Sequence, residues 1–174
     1  MRQRHQNTEQ NAECGDWWRA APFRANLLAV DFPAINGYGH LNFTVTDVEG
    51  TARWWETVMG FTIVHAEQRE SGVKVWNVYH PGLGAVGFVE HPQPGTDRFD
   101  ERSVGLDHFA LRVPDRAALD DWAKHLDDLG VENSGIQEEI GGPLIVFRDP
   151  DNIQLEVWAV DWDLVNSNVD SEQA

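Results

Sequence analysis

Cysteine is almost missing from this 174-residue chain, where Cys14 stands alone. One thiol cannot close an intrachain disulfide, so the core must hold the fold, and a reducing, cytoplasmic setting is expected. Cationic side chains are also scarce: 13 Lys and Arg stand against 29 Asp and Glu, a formal net charge of −16. They are scattered along the chain. Without a basic face, neither nucleic acid nor an anionic membrane surface is an expected partner. Long apolar runs are lacking too. No stretch nears the roughly 18 residues of a spanning helix, and the opening MRQRHQNTEQNA has no apolar signal segment, so a soluble, unexported protein is expected. The length and apolar content fit one full-sized domain or two small modules sharing a core.

What is present is a repeat. GHLNFTVTDVEGTARWWETVMGFTIV (39–64) reads as a strand, a helix capped by Asp47 and stopped by Gly60, and a return to β-branched residues. DHFALRVPDRAALDDWAKHLDDLGV (107–131) does the same with Asp115 and Gly130. In each copy a histidine, His40 or His108, precedes the capping aspartate by the same spacing. Three turn-punctuated strands follow each helix, so the unit is βαβββ, twice. The predicted organisation is an N-terminal extension over 1–36, a first module over 37–91, a linker over 92–104, a second module over 105–160 and a tail over 161–174. Residues 1–13 are polar and expected to be disordered, whereas Trp17, Trp18 and Phe23 are expected to pack on the domain or on a second copy.

Strand alternation assigns the faces. Leu41, Phe43 and Val45 pack under the first helix, which leaves His40, Asn42 and Thr44 on the opposite, polar face. In IQLEVWAV, Ile153, Leu155 and Val157 take the helix side, and Gln154, Glu156 and Trp158 share a face with His108. Aligning the hairpins HPGLG and DPDN with one gap makes Phe88 the first-module counterpart of Glu156, with Glu90 on the same face. His125, within DDWAKHLDDLG, is expected on a solvated helix surface.

The paired βαβββ units, the openings GHLNFTVTD and GLDHFALRVPD, and the hairpin FRDPDNIQLEVW resemble the vicinal oxygen chelate superfamily over residues 37–160. That superfamily includes glyoxalases, bleomycin and fosfomycin resistance proteins and extradiol dioxygenases. The resemblance implies an α+β fold in which two modules, from one chain or from two, curl mixed sheets into a cup around a divalent metal. It also implies ligand positions that fall here on His40, His108, Glu156 and Phe88. Three of these can bind metal, a set of two imidazoles and one carboxylate that suits Fe, Mn, Zn or Ni. The glyoxalase pattern uses all four. The dioxygenase pattern carries a tyrosine where Val146 stands.

The expected function is therefore a divalent-metal-dependent enzyme, with isomerase, lyase, transferase or dioxygenase chemistry on a small oxygen-rich substrate chelated at the ion. His40, His108 and Glu156 are the metal ligands, Phe88, Trp158 and Asn42 line the pocket, and Glu90 is the candidate base, its pKa expected to be raised at the rim of an apolar cup. The alternative is a metal-free cup that sequesters a small molecule, as in bleomycin resistance proteins. A lone βαβββ sheet leaves its edge unpaired and its polar face open, so each module needs another, and a homodimer covered by the N-terminal aromatic segment is expected.

Overall fold

The computed structural model describes residues 33–163 apart from 36, 94, 96 and 97. Trp17, Trp18, Phe23 and nearly all of the two terminal segments lie outside the described residues. Both repeats fall within the compact unit that begins at Tyr38.

The first module runs β1 (His40–Thr44), α1 (Val48–Met59), β2 (Thr62–Gln68), β3 (Lys74–His80) and β4 (Gly84–Glu90). The second runs β5 (Phe109–Arg112), α2 (Arg116–Asp128), β6 (Asn133–Glu139), β7 (Gly142–Arg148) and β8 (Gln154–Trp158). Each forms its own four-stranded mixed sheet, ordered β1-β4-β3-β2 and β5-β8-β7-β6, with the first strand parallel to the last and the other pairs antiparallel. The architecture is α+β.

Local chemistry explains the helices. Asp47 accepts from Gly50 N at 3.1 Å and Asp115 from Ala118 N at 2.9 Å, each satisfying an otherwise orphaned first-turn donor. Gly60 (φ 70°) and Gly130 (φ 67°) supply the left-handed residue that ends each helix. Val48, Thr51, Ala52, Trp55, Val58 and Met59 recur at helical spacing and make the buried face of α1. On α2, Leu119 and Leu126 are fully buried.

The helix-covered sides of the two sheets share one core. Phe43 meets Phe109 edge-on at 5.9 Å, and Trp54 packs on Phe147 at 6.4 Å. A polar clasp reinforces them: Asp151, in the β7–β8 hairpin, accepts from Thr46 N (3.1 Å), Thr46 Oγ1 (2.6 Å) and Thr51 Oγ1 (3.3 Å). His125 is exposed, as expected, yet it also makes a contact between the helices. Its Nε2 lies 2.9 Å from the Val58 carbonyl oxygen and joins α2 to the end of α1. With the helix sides turned toward each other, the sheet faces that carry His40 and His108 lie back to back, on the outside of this packing.

Candidate functional site

β5 and β8 assemble the polar face of the second sheet. Their parallel register places Ala110 beside Glu156, and β7 sets Val146 on the other side of it. His108 immediately precedes β5 on this face. Its Nε2 stands 3.6 Å from Glu156 Oε2, too far for a hydrogen bond but close to the roughly 3.0–3.5 Å that separates two donors each about 2.0–2.2 Å from a shared ion. Its Nδ1 lies 2.6 Å from Asp107 Oδ1. A carboxylate there favours Nδ1–H and leaves the Nε2 lone pair free. Glu156, only 9% exposed, also accepts from Gln154 Nε2 at 3.3 Å. Gln154 accepts in turn from Arg148, whose guanidinium forks onto Glu101 at 2.9 and 3.0 Å. The Arg148 guanidinium holds the Glu101 carboxyl down at about 2. A short chain of polar partners thus fixes both donors, and their chemistry fits a divalent cation.

His40 lies on the corresponding face of the first sheet, exposed, and does not join His108 and Glu156. Among the described residues no three His, Cys, Asp or Glu side chains gather as a metal-holding group. Trp158 is on the open face of β8, across from Arg112 and Leu144, and its indole N–H donates to the Gly142 carbonyl at 3.1 Å. It stands as a fixed wall two residues from Glu156.

Two expectations are overturned in the first module. Phe88 does not line the open face. It is fully buried on the helix side, against Phe43 and Trp55 at ring distances of 6.3 and 5.4 Å. Glu90, of the same parity, also faces the helix. It accepts from Val48 N at the start of α1 (3.1 Å) and pairs with Lys74 (2.6 Å). The Lys74 hydrogen bond lowers its pKa, against partial desolvation, so it is a helix-end anion and not a base with a raised pKa.

The true counterpart of Glu156 is Gly87. Asn42 of β1 and Asn77 of β3 flank it in register, as Ala110 and Val146 flank Glu156. Asn42 was expected on this face, and Gln154 on that of the second sheet; Asn77, Gly87 and Asp107 were missed. The signal was available, since HPGLGAVG (80–87) matches DPDNIQLE (149–156) without a gap.

Residues 37–157 match the model of the Glyoxalase/Bleomycin resistance protein/Dioxygenase superfamily. The putative ring-cleaving dioxygenase MhqA of Bacillus subtilis (strain 168) is 29% identical over 139 residues, which cover 78% of this chain and 43% of that protein. The chain thus spans less than half the length of that relative. Among solved structures, a glyoxylase/bleomycin resistance protein/dioxygenase domain from Frankia sp. EAN1pec superposes with a TM-score of 0.68 at 29% identity, covering 74% of this chain and all of that one. The fold is also that of the fosfomycin resistance protein FosX from Listeria monocytogenes, crystallised with Mn(II) and sulfate (TM-score 0.58, 22% identity, 76% of this chain, 99% of that one).

Proposed function

Since the chain belongs to the Glyoxalase/Bleomycin resistance protein/Dioxygenase superfamily, we propose that it is a divalent-metal-dependent enzyme acting on a small, oxygen-rich substrate. His108 and Glu156 of one chain and His40 of a second copy would hold the ion. The observation that carries this reading is the 3.6 Å approach of His108 Nε2 to Glu156 Oε2, with Asp107 behind the other ring nitrogen. A second copy is required because His40 is the matching histidine of the other module and cannot reach this pair within its own chain. The donor set suits Fe, Mn, Zn or Ni, and the FosX relative that held Mn(II) makes manganese the first ion to try.

When bound, such an ion polarises substrate oxygens and stabilises negative charge that develops on them. The chain's own groups prepare the place. Asp107 holds the Nδ1 proton of His108, Gln154 orients Glu156, and Ala110 and Val146 keep the flanks of the carboxylate apolar. Glu90, salt-bridged on the far side of its sheet, takes no part in proton transfer. Isomerisation, elimination, group transfer and ring cleavage all suit this arrangement.

The test uses subunit mixing. Wild-type protein stripped with chelator is expected to take up one Mn(II) per chain, and His40→Ala and Glu156→Ala each to lose at least about a hundredfold in affinity. Coexpressed, the two variants form mixed dimers in which one site of two is intact, which restores on the order of a quarter of the wild-type sites. Binding by neither the variants nor their mixture is the result that removes the shared site. Failure of the wild type to bind any of the four ions, with tryptophan quenching by a small molecule intact in EDTA, would establish the metal-free sequestration protein instead.

A further inference from the structure

The open face of the first sheet carries an unusual row. Asn42, Gly87 and Asn77 stand side by side on β1, β4 and β3, with His65 of β2 next in line. A Cβ added at Gly87 would lie 2.1 Å from Asn42 Oδ1 and 2.7 Å from Asn77 Oδ1. Both carboxamides therefore lean over the glycine and occupy the space that any side chain there would need. Neither has a hydrogen-bond partner among the described residues. Together they present four N–H donors and two carbonyl acceptors with unused capacity, around one patch of bare backbone.

We infer that this row is a carboxamide clamp that grips an uncharged, hydroxyl-bearing part of the substrate. The inference rests on the shared metal site, because Gly87 holds the position that Glu156 holds in the second module and lies on the face that carries His40. Where a fourth protein donor would stand, the substrate's own oxygen fits, and the two amides flank it.

The chemistry selects the ligand class. A hydroxyl both donates and accepts, and so can use both ends of a carboxamide. A phosphonate or other dianion only accepts, which leaves the two amide carbonyls unmatched. A dianion also calls for an uncommitted cation, and those nearby are engaged: Lys74 pairs with Glu90 on the helix side, Arg69, just beyond β2, pairs with Glu67 on the open face, and Arg98, which lines the hollow beside Asn42, donates to the Pro150 carbonyl. A neutral vicinal diol, such as catechol, matches both the clamp and an ion that binds neighbouring oxygens.

The experiment follows the side-chain NH2 signals of Asn42 and Asn77 in 15N-labelled full-length protein, assigned from single alanine variants, with EDTA present. Catechol and phenylphosphonate are the probes, alike in ring and different in charge. Catechol is expected to shift both signals and phenylphosphonate to leave them in place. The double variant Asn42→Ala/Asn77→Ala should bind catechol about tenfold or more weakly, the loss of one or two hydrogen bonds, with Mn(II) affinity unchanged. Gly87→Ala should do the same by displacing both amides. Unmoved signals with catechol, equal shifts with phenylphosphonate, or wild-type catechol affinity in the double variant each overturn the clamp. Because these titrations contain no metal, failure of the metal site would appear separately, in the Mn(II) measurement.

Discussion

The two modules share topology, caps and register, yet their open faces are near opposites. At the centre of the second stands Glu156 between Ala110 and Val146; at the centre of the first stands Gly87 between Asn42 and Asn77. One face concentrates charge between apolar neighbours, and the other concentrates neutral hydrogen-bonding groups around bare backbone. A duplicated scaffold lets each copy specialise, because side chains on the open face change without disturbing the helix side. Phe88 and Val157, the next residues along in the two modules, are both fully buried and keep the cores alike where the surfaces differ.

The sharpest way to break the comparison is at that boundary between core and face. Phe88→Ala should remove about 3–5 kcal/mol of stability by opening a cavity beside Trp55 and Phe43. Urea denaturation measures it. If Phe88 instead lined the pocket, ligand affinity would fall with stability little changed.

The hairpins before β4 and β8 provide the next contrast. His80 Nδ1 accepts from Gly82 N at 3.1 Å in an exposed turn. Its counterpart Asp149 accepts from Asp151 N and Ile153 N, both at 2.9 Å, but is 4% exposed. Asp149 Oδ2 and the Trp55 indole Nε1 are buried and neither completes a hydrogen bond among the described residues, although the indole is near enough to pull the carboxyl's pKa slightly down. Burial pushes the Asp149 pKa up from 3.8 to about 6, against the pull of its two backbone donors. The folded chain thus holds this proton more tightly than the unfolded chain. The resulting stabilisation is fully present below pH 3.8 and is lost as pH rises through about 6. Wild type should therefore gain on Asp149→Asn by about 3 kcal/mol between pH 7 and pH 3.5. Urea titrations of both proteins at stepped pH would read this, and a constant difference would refute it.

The smallest expected effect concerns the second module's donor support. Asp107→Asn keeps the size of the side chain but offers a weaker acceptor to His108, and Mn(II) affinity should drop about 10- to 100-fold, by analogy with other metal-supporting carboxylates. Electron paramagnetic resonance of free Mn(II) measures it, and an unchanged affinity would show that His108 needs no orienting partner.

Much of this was legible in the sequence, and the losses have a common cause. Asp47, Asp115, Gly60 and Gly130 announce the helices because capping is local chemistry between residues three or four apart. The repeat announces the fold, and alternation along β1, β8 and the run that enters β5 places His40, His108, Asn42, Glu156 and Trp158 on the faces where they are found. Register in β4 was misread because a single gap was placed in the hairpin, and a slip of one residue exchanges the two faces of a strand. That slip made a pocket wall of Phe88 and a base of Glu90, and hid Gly87. Asn77 followed it out of view, since its importance lies in a neighbour two strands away. How the modules pack was not legible either. Nothing in the local pattern of Phe43 or Phe109 says that they will meet edge-on, and the contact of the exposed His125 with the Val58 carbonyl left no local mark because that partner belongs to another helix.

The Asp151 clasp bears on how the chain comes apart. One carboxylate in the β7–β8 hairpin holds the turn after β1 and the start of α1, 100 to 105 positions earlier in sequence. Together with the rings packed between the sheets, it makes the two repeats one unit in the thermodynamic sense. Severing the linker between them would not yield two independent domains, because each half would expose the aromatic surface that the other covers. The duplication visible in the sequence has become, in the folded chain, indivisible.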